Sequence, residues 1–232
     1  MMQQRFWVVV PAAGRGTRIG APLPKQYLAL AGKPLIEHTL RRLAAHPRIA
    51  GLMVVLSPGD RDWPGWKELE GTPLLTTAGG AERADSVLAG LEALPQDVAA
   101  TDFVLVHDAA RPCLRHADLD ALLDAAGHGE GALLAQPLSD TLKRADHNGH
   151  VEATVPREGL WRALTPQMFR RGVLSTALRD AAAAGVQVTD EAMAMERAGI
   201  AARLVVGAAD NIKVTTPQDV ALAEFLLRNP QS

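Results

Sequence analysis

Phe6-Trp7-Val8-Val9-Val10-Pro11-Ala12-Ala13-Gly14-Arg15-Gly16-Thr17-Arg18-Ile19-Gly20-Ala21-Pro22-Leu23-Pro24-Lys25-Gln26-Tyr27 is the stretch around which the chain is organised. The apolar run Phe6–Val10 stops at Pro11 and has the length and β-branching of a buried strand. Gly14, Gly16 and Gly20 follow, and glycines at a strand end let the main chain come close to a ligand and aim N–H groups at it. Arg15, Arg18 and Lys25 lie in the same loop. They make the natural guest an anion, most economically a polyphosphate.

Working outward, apolar and helical periods alternate. Pro34–His46 carries Ile36, Leu40, Leu43 and Ala44 at helical spacing, with proline suited to the first turn. Leu52–Leu56, Pro73–Thr77, Phe103–Val106 and Ala132–Ala135 read as strands. Asp62–Gly71 (with Trp63 and Trp66), Glu82–Leu94 and His116–Ala126 read as helices. Alternating strands and helices predict an α/β fold: a three-layer, Rossmann-like, mostly parallel sheet with helices on both faces. From Pro137 to about Arg157 the chain turns polar. Asn148-Gly149 stands between Thr141-Leu142-Lys143 and Val151–Val155, which predicts a projecting β-hairpin arm. A lone hairpin is marginal in water, so the arm should lean on something, such as a second subunit. Helices are expected again at Phe169–Ala184, Asp190–Ala198 and Pro217–Arg228, and strands at Arg203–Val206 and Asn211–Val214. One domain over 1–232, with 137–157 as a dimerisation arm, is the expected organisation.

Composition narrows the partners. With 232 residues, 47% of them hydrophobic, the chain can bury a full core. A formal net charge of −2 gives no general pull toward nucleic acid or an anionic membrane, so anion affinity must be local. No apolar run approaches the roughly 20 residues that span a bilayer, and no signal-peptide pattern opens the sequence. Cys113 is the single cysteine, and the seven histidines show no metal-ligand spacing. A cytoplasmic protein without nucleic-acid or membrane partners is expected.

Two familiar phosphate loops fail on spacing. No Gly-Lys-Ser/Thr tripeptide exists for a Walker A loop. Gly14, Gly16 and Gly20 are one residue too widely spaced for a dinucleotide fingerprint, and Pro22 and Pro24 would break the helix it needs. What remains is a cationic loop suited to phosphoryl or nucleotidyl transfer, which asks chiefly for positioning and positive charge. A divalent metal held by oxygen is the usual third source of charge. Asp108, directly after strand Phe103–Val106, and Asp210 are the candidate metal carboxylates. At an effective dielectric near 20, a unit charge pair about 4 Å apart is worth roughly 4 kcal/mol. Removing Arg18 or Lys25 then costs on the order of 10²–10³ in rate.

The loop also resembles the P-A-A-G-x-G-x-R…P-K-Q-Y pattern of 2-C-methyl-D-erythritol 4-phosphate cytidylyltransferases, enzymes of the non-mevalonate isoprenoid pathway. Gly79–Val87, His107–Pro112, Asp140–Lys143, Arg157…Trp161…Thr165-Pro166-Gln167, Thr189-Asp190-Glu191 and Asp210–Thr215 match that family in order. The resemblance runs from Val8 to about Phe225. It implies a nucleotidyltransferase fold and a reaction of CTP with a polyol phosphate, with Mg²⁺. The products would be 4-diphosphocytidyl-2-C-methyl-D-erythritol and pyrophosphate. It implies that Arg18 and Lys25 stabilise the transition state, and that Ala12, Ala13, Gly14 and Ala109 line the nucleotide. Gly79, Arg83 and Ser86 would hold the cytosine and ribose side, and Asp108 the metal. Thr141, Arg157 and Lys213 would bind the acceptor. The family's arm is swapped across a homodimer, so Thr141 and Arg157 would serve the neighbour's site.

Other readings stand beside these. The three glycines could be plain turn residues, and Asp108 could cap a helix. His107 is expected to shape its loop, and His38 and His46 to lie on a helix surface. His147 and His150 read as solvated hairpin residues, Cys113 as a buried small residue and Trp161 as packing at the base of the arm. Lys213 on an apolar stretch calls for an anionic partner. A cytidylyltransferase for another polyol phosphate, such as ribitol 5-phosphate, would use the same loop. A non-catalytic nucleotide-binding module would keep the fold and release no pyrophosphate.

Overall fold

The computed structural model describes residues 4–14, 23–125, 129 and 131–229. Its strands are β1 (Phe6–Pro11), β2 (Ala29–Leu30), β3 (Lys33–Pro34), β4 (Ile49–Leu56), β5 (Glu68–Leu69), β6 (Thr72–Ala78), β7 (Phe103–Val106), β8 (Gly131–Pro137), β9 (Leu142–Ala145), β10 (Val151–Val155), β11 (Trp161–Arg170) and β12 (Arg203–Val206). The helices are α1 (Leu35–Ala44), α2 (Arg83–Glu92), α3 (His116–Asp124), α4 (Arg171–Ala183), α5 (Glu191–Arg197) and α6 (Pro217–Arg228). Eight strands form one sheet in the order β12-β8-β11-β7-β1-β4-β6-β5. β1 pairs in parallel with β4 and β7, β4 with β6, and β8 with β12. β11 runs antiparallel to both of its neighbours, β7 and β8.

The three layers follow from side-chain alternation along the strands. On β1, Val8 and Val10 face one side and pack with Ile36, Leu40 and Leu43 of α1 and Leu119 and Leu122 of α3. Val9 faces the other side, against Val87 and Leu91 of α2 and within the cluster that holds Leu174 of α4 and Met195 of α5. α2 lies close because Gly90 has no side chain. A Cβ there would stand 2.5 Å from Val9 Cγ1 and 2.7 Å from Val55 Cγ2. α6 covers a smaller cluster of Leu30, Leu35 and Val214 beside the main sheet.

Four sequence expectations are corrected. Asp62–Gly71 is not a helix. Gly65 has a positive φ, and Glu70 and Gly71, with φ of 49° and 75°, make the two-residue turn between antiparallel β5 and β6. Trp63 and Trp66 meet edge to face there, with ring centroids 5.1 Å apart. The helix expected from Phe169 begins at Arg171, because Phe169 closes β11. Asn211–Val214 pairs with no strand. A single backbone bond, Val214 N–H to the Ala110 carbonyl at 2.8 Å, fastens it to the loop after β7. Among the histidines, His46 is buried at 2% exposure and not on the surface.

The arm forms as expected. β9 and β10 make a separate antiparallel sheet, closed by a turn in which Gly149 has a φ of 83°. The Asp146 carboxylate accepts the Asn148 and His150 N–H groups at 2.9 Å each. Val151 is 66% exposed, so the arm contributes little to this chain's own core. Among the described residues, no helix is long and apolar enough to cross a membrane.

Candidate active site

The carboxyl ends of β1 and β7 open into a cavity of about 190 Å³. An open parallel sheet binds ligands at this end, where loops from neighbouring strands diverge. Ala12, Ala13 and Gly14 leave β1 along one wall, and Asp108, Ala109 and Ala110 leave β7 along another. Gly80, Ala81, Glu82, Arg83 and Ser86 at the start of α2 form the third, and Lys25 and Lys213 reach in. Gln26 ties the returning loop to the first wall by donating to the Ala12 carbonyl at 2.7 Å, and Ser57 donates to the Ala13 carbonyl at 2.7 Å. Gly79 stands behind the cavity. A Cβ there would lie 2.6 Å from Ser86 Oγ and 2.8 Å from the Ala13 Cβ, so the glycine permits the first and third walls to meet.

Asp108 is the electrostatic centre. Its carboxylate meets Lys213 Nζ at 2.9 Å, Arg83 at 3.2 Å and Arg111 Nε at 3.4 Å. Burial alone would raise this carboxyl, but Arg83, Lys213 and Arg111 overcome it and hold the group well below the ordinary carboxylate range. Lys213 thus has the anionic partner that its position demanded. Arg83 is also gripped by Glu191, at 2.6 Å to Oε1 and 3.2 Å to Oε2. Burial opposes the charge on Arg83, yet the Glu191 and Asp108 carboxylates carry its guanidinium above the usual value.

The Asp108 backbone is fixed from behind. Its N–H donates to Thr165 Oγ at 3.1 Å, and Thr165 Oγ lies 3.0 Å from His107 Nδ1. His107 Nε2 is 3.1 Å from the Arg111 carbonyl, which can only accept. The proton therefore sits on Nε2, and Thr165 donates to Nδ1 while accepting from Asp108. Burial pushes His107 down to about 4, so it stays neutral and serves the loop structurally, as its sequence context suggested.

Of the predicted site residues, the cavity gathers Ala12, Ala13, Gly14, Lys25, Arg83, Ser86, Asp108, Ala109 and Lys213. Arg18 lies outside the described residues, as do Arg15, Gly16 and Gly20. Asp210 is not brought to the cavity. Arg115 holds it with contacts of 2.5 to 3.1 Å. Thr141 and Arg157 are exposed on the arm and also stand apart from the cavity, with Arg157 donating to the Ser139 carbonyl. Trp161 is exposed at the start of β11, beside Pro137, rather than buried at the arm's base. Sequence reasoning assigned no role to Glu191, Thr165 or Gln26. Glu191 had a readable signal: it lies four residues before Met195, on the face of α5 that is buried.

The sequence profile of the 2-C-methyl-D-erythritol 4-phosphate cytidylyltransferase family matches residues 6–229. The chain belongs to this family. A 2-C-methyl-D-erythritol 4-phosphate cytidylyltransferase of Xanthomonas euvesicatoria pv. vesicatoria is 63% identical over 230 residues, 98% of this chain and 87% of that protein. One of Stenotrophomonas maltophilia is 63% identical over 227 residues, 97% of this chain and 98% of that protein. The fold agrees with crystal structures of the same enzyme. The Thermus thermophilus structure has a TM-score of 0.80 at 34% identity and covers 97% of this chain and 100% of its own. The Francisella tularensis structure has a TM-score of 0.82 at 31% identity and covers 96% of this chain and 99% of its own. The family's motifs that could be placed converge on the Asp108 cavity, apart from Asp210 and those carried by the arm.

Proposed function

We propose that this chain is a cytidylyltransferase of isoprenoid precursor biosynthesis. It joins CTP to 2-C-methyl-D-erythritol 4-phosphate, giving 4-diphosphocytidyl-2-C-methyl-D-erythritol and pyrophosphate. The observation that carries this reading is Asp108, ringed by Lys213, Arg83 and Arg111 in a cavity whose first wall leads into the Gly14–Lys25 loop. A phosphate oxygen of the acceptor attacks the α-phosphorus of CTP. The new P–O bond forms as the bond from that phosphorus to the bridging oxygen breaks, and pyrophosphate leaves with the electron pair. The reaction needs no covalent enzyme intermediate. It does need positive charge around a crowded, anionic phosphorus.

The chain's own groups divide that task. Ala12, Ala13, Gly14 and Ala109 line the nucleotide, and Gly79, Arg83 and Ser86 shape the cytosine and ribose side. Lys25, with Arg18, supplies charge to the transition state. Lys213 exchanges part of its pairing with Asp108 for the acceptor phosphate. Mg²⁺ fits the donor set, because it is commonly held by one or two carboxylates together with substrate phosphates, and Asp108 is such a carboxylate. When bound, it would neutralise charge on the phosphate chain. Its ion pair with Arg115 supports a structural role for Asp210 instead.

Thr141 and Arg157 would complete a neighbour's site in a homodimer joined through the arm. Their exposure and distance from this chain's cavity support that arrangement. The buried thiol of Cys113 suits a reducing cytoplasm. The decisive assay supplies CTP and Mg²⁺ with either methylerythritol phosphate or ribitol 5-phosphate and follows products by ³¹P NMR. A mixed diphosphate with the first acceptor is expected, and turnover with ribitol 5-phosphate alone would overturn the acceptor assignment.

A further inference from the structure

The Asp108 carboxylate poses an electrostatic problem. A group that must bind a divalent cation is already faced by three cationic side chains, and any of them can compete for its oxygens. The three are not equivalent. Among the described residues, Lys213 and Arg111 address Oδ2, at 2.9 and 3.4 Å, whereas Oδ1 is met by Arg83, whose Nε and Nη2 each stand 3.2 Å away. Arg83 divides its guanidinium between two carboxylates, with Nε and Nη2 toward Asp108 Oδ1 and Nη1 and Nη2 toward Glu191. Its two terminal nitrogens reach the Glu191 oxygens, at 2.6 and 3.2 Å, and the shorter contact is the one to Glu191.

Glu191 is itself held firmly. It is 1% exposed in the first turn of α5, and the preceding Asp190 caps that helix by accepting the Met193 N–H at 2.9 Å. Gln167 of β11 accepts the Ala192 N–H at 2.8 Å and donates to Asp190 Oδ2 at 3.0 Å. The carboxylate is therefore fixed to the central sheet and has little freedom to follow Arg83. A buried carboxylate is costly unless it is paired, and its partner here is the guanidinium that touches Oδ1 of Asp108.

We propose that Glu191 is a positioning residue that sets how tightly Asp108 holds a divalent cation, by competing with Asp108 Oδ1 for the Arg83 guanidinium. The proposal rests on the reading of Asp108 as the metal carboxylate. Neutralising Glu191 leaves three cations facing a single carboxylate and frees the Arg83 guanidinium, already 3.2 Å from Oδ1, to close further on it. Metal affinity falls, and residues one step removed from a metal commonly change its affinity 10- to 100-fold, by roughly that factor here. A purely structural ion pair between α2 and α5 would instead change stability and leave the metal requirement untouched.

The test counts Mn²⁺ bound to the full-length protein, by electron paramagnetic resonance, in the presence of saturating α,β-methylene-CTP. Glu191→Gln is expected to weaken Mn²⁺ binding about tenfold, and excess Mg²⁺ should restore much of its turnover. Glu191→Asp, which keeps the charge on a shorter arm, should fall between the two and serves if the glutamine variant does not fold. Adding Arg83→Gln to Glu191→Gln removes the competitor and should return Mn²⁺ affinity toward that of the unaltered protein. Unchanged Mn²⁺ binding in folded Glu191→Gln, or no recovery in the double variant, overturns the proposal. Asp108→Asn separates the two levels. If it loses Mn²⁺ while Glu191→Gln does not, only this inference fails; if it binds Mn²⁺ normally, the metal reading of Asp108 fails as well.

Discussion

At Asp108, attraction to Arg83, Lys213 and Arg111 outweighs the cost of burying a charge, and that balance holds the carboxyl below its ordinary range where the β1 and β7 loops meet. Lys25 lines the same cavity and donates from Nζ to the Val214 carbonyl at 3.3 Å. Lys25→Ala is expected to lower kcat by roughly 10²–10³ with a smaller change in CTP affinity, because its charge is needed most in the transition state. Arg18→Ala should behave alike; steady-state kinetics beside equilibrium CTP binding would check both, and a loss confined to binding would contradict the role. Cys113 tests the interior at the far side of the β7 loop. Burial pushes its thiol up to about 11, so an aromatic disulfide reagent at neutral pH should leave the native protein unmodified and react only after unfolding.

Strand ends and their loops line the cavity, while the close contact of α2 with the sheet keeps two of its walls together. Gly90→Ala places a Cβ against Val9 and Val55 and should cost about 1–3 kcal/mol, read as a lower denaturant midpoint. The parallel strands and all six α-helices, α4 with its start expected two residues early, were legible because valine and leucine runs alternate with amphipathic periods. β11 was not, because Thr165, Pro166 and Gln167 are poor strand markers. Pro166 is tolerated since the register shifts between Ala163 and Gln167, where ladder bonds are interrupted. The site was legible where a motif lies on one loop, as with Ala12–Gly14 and Asp108–Ala109. It was illegible where partners are far apart in sequence, as Arg83 and Glu191 are, because the packing of α2 near α5 on one face of the sheet depends on tertiary placement that local patterns do not encode.

Over the whole molecule, two properties follow from assembly and from a buried histidine. If the arm exchanges between subunits, mixing an Arg18→Ala chain with an Arg157→Ala chain should regenerate one intact site per heterodimer. Random mixing then gives about a quarter of full activity, and no recovery would exclude exchange. His46 is lowered by burial, only partly opposed by Asp120 at 3.0 Å, so the unfolded chain takes up its proton more readily than the folded one. Its stabilising contribution is therefore complete above an unfolded pKa of about 6.5 and is lost as pH falls toward the lower folded value. The thermal midpoint should drop between about pH 7.5 and pH 5.5, with buried His107 contributing in the same direction, and His46→Gln should lessen that dependence without abolishing it. The central claim is that the Asp108 cavity performs acceptor-dependent cytidylyl transfer. Pyrophosphate release from CTP, measured with and without methylerythritol phosphate in the unaltered protein and in Asp108→Asn, tests it most directly. The predicted result is release only with acceptor, lowered by roughly 10² or more in the variant. Release at the same rate in Asp108→Asn, or none from the unaltered protein with both substrates present, would contradict it.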